Sequence, residues 1–283
     1  MSSAHPDLTV IIVSHGHEEM IAACVASLPP ALQDINVELL VVDNLNSGKL
    51  SGILEGCSSS FRLYDNPSPR GFAYNINRAV AESRGDNLLI LNPDTRWSQG
   101  RIVDALDLLR HDNRIGMIGC RLLNPDGTTQ QSYRRFPSIG VPIARGLGVE
   151  HWPWRPRFYR ERMMENTQYD HSHHEVDWLF GAWLLLKRQI FDEVGGMDES
   201  FRLYYEDVDL SYRLRQRGYK IYFMPSISFY HDHQRISAKL IFSKFRWWHV
   251  QSMARFFIKH RYLFRASLPN RARASPGLEN DNA

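Results

Sequence analysis

Three continuous apolar runs constrain the fold of this chain more than any other feature. Residues 8–14 (LTVIIVS), 38–43 (ELLVVD) and 87–91 (NLLIL) are rich in branched aliphatic side chains. A run that is apolar without alternation suits a strand buried on both faces, as in a parallel sheet covered by helices on either side. Helix-spaced segments separate the runs. Residues 17–28 bring Met20, Ile21, Cys24, Val25 and Leu28 to one side and stop at Pro29-Pro30. Residues 72–84 form an amphipathic helix that Gly85 ends, and residues 61–64 and 115–120 add two strands. Ser98 is placed to cap a helix over residues 99–110. Alternation at these lengths implies right-handed βαβ units and an α/β fold with a mainly parallel sheet.

The second half is less regular. Residues 134–169 crowd prolines, glycines, arginines, Trp152 and Trp154 into what reads as a long functional loop. Residues 176–186 read as a buried strand interrupted at Gly181, and 187–194 as a short helix closed by Gly195-Gly196. An amphipathic helix over 206–216 ends at Gly218, and residues 220–224 form a final strand. With 43% hydrophobic and 23% charged residues, the chain can bury a full core and is not a disordered one. Its apolar runs fall short of the roughly 18–20 residues of a spanning helix. No basic-then-apolar leader opens it. Cys24, Cys57 and Cys120 form no C-x-x-C pair, which fits a reducing compartment, the cytoplasm by default. The net charge of +3 hides an asymmetry, because residues 233–278 hold ten Lys and Arg and no Asp or Glu. That leaves an acidic body with a basic segment, whose natural partner is an anionic surface.

Ligands of open α/β sheets bind at the carboxyl ends of the strands. There the sequence places Ser14-His15-Gly16-His17, Asp43-Asn44 and Asn92-Pro93-Asp94-Thr95. Neither G-x-G-x-x-G nor a GK[ST] loop is present, which argues against dinucleotide and P-loop sites. Asp43 either accepts hydrogen bonds from a nucleobase or ribose, or closes its own turn beside Asn44. Pro93 fixes the backbone between two oxygen-bearing side chains, so Asn92 and Asp94 either hold Mg²⁺ or Mn²⁺ on a diphosphate or form a simple turn. Glu206, Asp207 and Asp209 crowd the first turn of a helix, where three acids suit the macrodipole. Like-charged neighbours also raise a carboxylate's proton affinity towards that of a general base. His231 follows the last strand and is a candidate metal or phosphate contact.

Taken together, these pieces resemble glycosyltransferase family 2. The resemblance runs from residues 9–14 (TVIIVS) through Val41-Val42-Asp43-Asn44, Gly71-Phe72-Ala73 with Asn77, and Leu91-Asn92-Pro93-Asp94. It continues in Gly181-Ala182, residues 191–198 (FDEVGGMD), residues 204–210 (YYEDVDL) and His231. Within the family the chain is most similar to rhamnosyltransferase-type members that build bacterial polysaccharides. The resemblance implies a GT-A fold over residues 1–236, with a donor half to about residue 125 and an acceptor half from about 126. It also implies inverting transfer of a sugar, a deoxysugar such as rhamnose, from a nucleotide-diphosphate donor. Deoxythymidine-diphosphate-rhamnose is the favoured donor. The acceptor is a glycan or a lipid-linked glycan.

By that resemblance Ser14, Asp43, Asn77, Asn92 and Asp94 line the donor site, and Asp94 with His231 holds Mg²⁺ or Mn²⁺. Asp207 is the base, supported by Glu206 and Asp209. One departure stands out: the first carboxylate of the usual D-x-D is Asn92 here, which weakens metal retention. Residues 237–265 read as a basic amphipathic helical segment and 266–283 as a disordered tail. Lys244, Trp247, Trp248, Arg255 and Lys259 are expected to meet an anionic membrane, making the protein peripheral on the inner face of the cell membrane. The opposite expectation is a helix packed on the body with its aromatics in the core. A catalytically inactive GT-A-like anchor is a rival of another class, which loss of Asp94 or Asp207 would favour; both are present. The acidic body weighs against nucleic acid as a partner.

Overall fold

A computed structural model describes residues 5–58, 60–138, 140, 144, 147–157, 159–160, 173–232 and 244–261. The expected disordered tail, residues 266–283, lies outside the described residues. β1 (Leu8–Ser14) lies between β2 (Val37–Asp43) and β4 (Asn87–Leu91), parallel to both, and β3 (Arg62–Asp65) continues in parallel beyond β2. Side chains alternate between two cores, as a period of two requires. Val10, Ile12, Leu89 and Leu91 enter one core, while Ile11, Val13, Leu88 and Ile90 enter the other. The first core is covered by α1 (Glu18–Ser27), α2 (Leu50–Glu55) and α4 (Ile102–His111). The second is covered by α3 (Phe72–Glu82), α5 (Arg188–Glu193) and α6 (Glu206–Gln216). Each fully buried Ile or Leu contributes about 1.5–3 kcal/mol, so this two-sided burial dominates the sheet's stability.

The sheet is not purely parallel. Its remaining strands are β5 (Thr95–Gln99), β6 (Ile115–Leu123), β7 (Thr129–Gln130), β9 (His174–Val176), β11 (Trp183–Lys187) and β12 (Lys220–His231), in the path β3-β2-β1-β4-β11-β6-β12-β5. β7 pairs with β6 and β9 with β12, while β8 (Tyr133–Arg134) and β10 (Trp178–Leu179) form a separate two-stranded sheet. The single strand expected over residues 176–186 is therefore three strands, with β11 antiparallel in the middle of the main sheet. That reversal brings its leading end, at Ala182, to the carboxyl edge of β4, where the Asn92 N–H bonds the Ala182 carbonyl at 2.9 Å.

Two further expectations are corrected, and of the two expectations for the basic helix the packed one describes its aromatics. The helix capped by Ser98 is instead β5 followed by α4, because residues 95–99 pair with β12 and so satisfy their backbone in the sheet. Gly100 makes the turn between them at φ +87°, where an added Cβ would lie 2.4 Å from the Ser226 carbonyl oxygen. The last strand runs past Met224 to His231, its register shifting between Met224 and Ser228 around Pro225. Proline is tolerated in sheets at such irregularities. Finally, α7 (Lys244–His260) belongs to the packed body. Its Phe256 and Phe257 share a third core with Phe136, Phe201, Val208 and Tyr212.

Candidate active site

The carboxyl ends of β1, β2 and β4 form one side of the site. Asp43 is buried, and its carboxylate accepts the Leu45 N–H at 3.1 Å and both the N–H and hydroxyl of Ser47 at 2.8 Å. It closes its own turn. Asn44 accepts from Asn66 and from the Arg70 N–H, both at 2.8 Å, and bonds His15 Nδ1 at 2.9 Å. This network ties the end of β2 to the segment that leads into α3. Ser14 is buried too, with its Oγ accepting the His17 N–H at 3.4 Å. Asn77 lies elsewhere than expected: its amide donates to the Met197 carbonyl at 2.8 Å and to Glu199 at 2.9 Å, and its oxygen accepts the Met197 N–H at 2.8 Å. It joins α3 to the loop after Gly195-Gly196.

Asn92-Pro93-Asp94 turns the chain from β4 into β5. The Asn92 carbonyl accepts the Thr95 hydroxyl at 2.7 Å, and the Asp94 carbonyl accepts the Asp232 N–H at 2.9 Å. The last contact draws the ends of β4 and β12 together. It leaves Asp94 Oδ1 and His231 Nε2 3.5 Å apart, although the two residues are far apart in sequence. Gln130 of β7 sets the histidine: its Oε1 accepts from Nδ1 at 2.9 Å, and its Nε2 donates to the His231 carbonyl at 2.6 Å. Nδ1 therefore carries the proton, and the lone pair of Nε2 faces Asp94. Burial, opposed by the Asp232 charge, pushes His231 down to about 4, so the ring is neutral at pH 7. His17, lowered by burial and countered by the Asp94 charge, stands on the same side. Among the described residues, no three His, Cys, Asp or Glu side chains are grouped to hold a metal ion by themselves. One carboxylate and one neutral imidazole nevertheless fit a Mg²⁺ or Mn²⁺ that takes its remaining ligands from diphosphate and water.

The other side is the first turn of α6. Asp207 Oδ2 accepts the Gly181 N–H at 2.9 Å, and Oδ1 accepts the Val208 N–H at 2.8 Å. Burial raises Asp207 above the usual carboxylate range, against those two bonds and the nearby Arg134 charge. Glu206 is raised as well, by burial and then by the charge of Asp207, and its enclosed Oε2 has no hydrogen-bond partner among the described residues. Arg134 lies over the Phe180 ring at 5.1 Å, and Phe180 stacks on Trp178 with centroids 5.1 Å apart. Phe180 directly precedes Gly181, so these side chains stand beside Asp207. Asp209 does not join Glu206 and Asp207. It is fully buried in an ion-pair cluster with Arg213 (2.6 Å), Lys259 (2.6 Å) and His260 (2.7 Å), which hold its carboxyl below its ordinary range against the push of burial.

α7 answers the membrane expectation residue by residue. Lys259 is spent on Asp198 and Asp209, and Trp248 lies under the Arg202 guanidinium at 4.1 Å. Both are turned to the body, which corrects their assignment to a membrane face. Trp247, 62% exposed, and Arg255 face outward with Val250 and Ile258. The side chain of Lys244 lies outside the described ones. No helix among the described residues is long and apolar enough to cross a membrane.

Comparison with known proteins places this arrangement. The chain is 30% identical over 241 residues to N-acetylglucosaminyl-diphospho-decaprenol L-rhamnosyltransferase of Mycobacterium tuberculosis, covering 79% of this chain and 75% of that protein. It is 27% identical over 265 residues to the rhamnosyltransferase WbbL of Escherichia coli K12, covering 90% and 94%. Among solved structures it is similar to GalNAc-T7 with UDP, GalNAc and Mn²⁺, at TM-score 0.64 and 16% identity over 92% of this chain and 51% of that one. It is also similar to the mannosyltransferase PcManGT from Pyrobaculum calidifontis with GDP-Man and Mn²⁺, at TM-score 0.58 and 16% identity, covering 91% and 65%. The chain thus spans about half and about two thirds of those two structures, and at this identity they establish the GT-A fold alone. Residues 5–249 match the family described as "Glycosyltransferase like family 2", and the chain is a glycosyltransferase belonging to that family.

Proposed function

We propose that this glycosyltransferase moves rhamnose, with inversion, from deoxythymidine-diphosphate-rhamnose to a saccharide carried on a polyprenyl diphosphate, in the synthesis of a cell-surface polysaccharide. The observation that carries the reading is one juncture. Asn92 bonds Ala182 while Gly181, the residue before, bonds Asp207, so the donor-side turn and the raised carboxylate meet within a few residues. An acceptor-side base beside a diphosphate-side carboxylate is what a single in-line displacement requires. The names of the relatives support the sugar and the lipid-linked acceptor.

In this reading Asp207 accepts the proton of the acceptor hydroxyl as that oxygen bonds to the anomeric carbon. The bond from the anomeric carbon to the diphosphate oxygen breaks with its electron pair on the diphosphate. Asp94 and His231 would hold Mg²⁺ or Mn²⁺, which supplies positive charge to the leaving group. Gln130 keeps the His231 lone pair on that side. Asp43 shapes the nucleoside pocket through its turn, with Ser14 and Asn92 as backbone neighbours. The outward face of α7, with Trp247 and Arg255, meets the anionic membrane surface that carries the acceptor.

A thermal-shift panel of nucleotide sugars, with and without Mn²⁺, tests the donor assignment, because a ligand that binds the native state raises the midpoint by mass action. Deoxythymidine-diphosphate-rhamnose should give the largest rise, with Mn²⁺ present, and Asp94→Ala should remove the metal-dependent part. A larger rise with another nucleotide sugar would replace the donor. An undiminished rise in excess EDTA would remove the metal from the reading.

A further inference from the structure

The turn that delivers Glu206 and Asp207 is unusual. Tyr204 and Tyr205 stand in succession at φ +65° and +70°, the left-handed region, and both are bulky residues with a Cβ. Such a conformation persists only where the surroundings over-determine it, and it collects at functional sites. Here the surroundings are α7. The His249 ring meets both tyrosines edge-on, with centroids 5.2 Å from Tyr204 and 5.6 Å from Tyr205. Ser252 Oγ donates to the Leu203 carbonyl at 2.8 Å, one residue before the strained pair. Phe256 packs on Tyr205 at 5.6 Å. One turn further into α6, Lys259 and His260 bind Asp209, whose own N–H makes the first helical bond to the Tyr205 carbonyl at 2.8 Å. α7 therefore grips the turn from both sides of the strained pair.

We propose that α7 is a splint for the reactive turn, in which His249 and Ser252 are positioning residues that hold Tyr204 and Tyr205 left-handed so that Asp207 reaches the Gly181 N–H and the acceptor. The inference rests on the reading of Asp207 as the base. Neither residue touches a substrate in this account; both act through the backbone they brace. A helix that only filled a hydrophobic gap would need Phe256 and Phe257, and would not need a hydroxyl bonded to the Leu203 carbonyl or a ring set against both tyrosines.

The test uses the full chain and four variants: His249→Ala with Ser252→Ala, His249→Phe, Asp207→Asn, and Gln251→Ala as an exposed control on the same helix. Transfer from deoxythymidine-diphosphate-rhamnose to a short-chain N-acetylglucosaminyl-diphospho-prenol gives kcat, and calorimetry gives affinity for deoxythymidine diphosphate with Mn²⁺. The double variant should lose roughly 10- to 100-fold in kcat, the cost of a small misplacement, with nucleotide affinity unchanged. His249→Phe keeps a ring against both tyrosines and should retain most of the turnover, and Gln251→Ala all of it. Hydrogen exchange needs no substrate and should rise over residues 202–208 in the double variant while the central strands stay protected. Unchanged exchange there, or unchanged kcat, overturns the splint. So does a fall in kcat matched by equal losses of nucleotide affinity and of protection throughout the sheet, which is destabilisation of the whole body. Asp207→Asn separates the two readings: if it keeps wild-type turnover the base assignment fails, whereas if it alone collapses only the splint fails.

Discussion

Glu206 and Asp207 are neighbours with opposite hydrogen-bonding fates, and the difference divides their labour. Asp207 accepts two backbone N–H bonds, which favour its ionised form, while the enclosed Glu206 Oε2 gains none among the described residues. Glu206 is thus the carboxyl that keeps its proton, and Asp207 the one that can take one up. Glu206→Gln, isosteric with the protonated acid, should preserve most of the turnover. Asp207→Asn should cost roughly 10²–10⁴-fold with donor binding intact. Because burial raises Asp207, the acid limb of the rate profile should lie above the ordinary carboxylate range near about 4, with activity falling as pH drops through the raised value. Asp209→Asn should instead reduce stability, by about 3–5 kcal/mol, since it leaves the nearly buried Arg213 without its carboxylate. A denaturant midpoint and a pH–rate series on the three variants check all of this. Comparable rate losses from all three, with no change of midpoint, would reject the division. The sequence shows three acids on one helical turn, but their partners come from α7 and from the Gly181 loop, which no local pattern reveals. The same limit applies to Asn77, whose carboxamide looks like a ligand until Met197 arrives through the fold.

Elements were legible where burial is two-sided and continuous. Residues 8–14 and 87–91 are strands to the residue, because a run of branched aliphatics has no amphipathic alternative. Legibility falls where pairing partners decide. β5 reads as a helix start until β12 satisfies its backbone, and Pro225 reads as a strand end until a register shift absorbs it. Short α2, with Gly52 inside it, offers no propensity signal and forms because Leu50 and Leu54 reach the core. Electrostatics between elements are equally hidden. Glu38 of β2 is nearly buried and accepts from Thr9 of β1 (2.8 Å), Arg62 of β3 (2.7 Å) and the Arg84 N–H (2.7 Å). Burial pushes its pKa up, but these bonds outweigh it and hold the carboxyl at about 2. A depressed native pKa gives stability that is complete above the unfolded value, near about 4.3, and is lost as pH falls through the native one. Wild-type protein should therefore lose stability between pH 4.3 and about 2 through this group. Glu38→Gln should remove about 3 kcal/mol at pH 7 and flatten that part of the acid profile. Equal stability of the variant at pH 7 would mean the three cationic and polar partners rearrange without cost.

At the scale of the whole molecule, charge and apolar surface meet on one helix with two faces. Steps of about 100° per residue put Ser252, Phe256 and Lys259 towards the body and Trp247, Val250, Arg255 and Ile258 away from it. Ile258 is 73% exposed and Trp247 62%, which is unusual for large apolar side chains on one stripe of a helix already supplying a core. The sequence around them, residues 233–278, is free of acids, so the outward stripe sits in a basic stretch attached to an acidic body. An aromatic and aliphatic stripe among cations suits the headgroup boundary of an anionic bilayer, where each Lys or Arg contributes about 1 kcal/mol. The packing separates the residues that hold the fold from those of the outward stripe, as composition alone does not. Trp247→Ser with Ile258→Ser, and Arg255→Glu, should each reduce co-sedimentation with vesicles containing phosphatidylglycerol and leave the thermal midpoint nearly unchanged. Wild-type sedimentation should fall with added salt. Lys259→Glu should do the reverse, lowering the midpoint, because it sets a third carboxylate against Asp198 and Asp209, while altering vesicle binding only as far as the protein unfolds. If wild-type protein ignores these vesicles at low salt, the outward stripe is not a lipid contact. In the proposed reading, a lipid-linked acceptor would then have to leave the membrane before Asp207 could meet its hydroxyl.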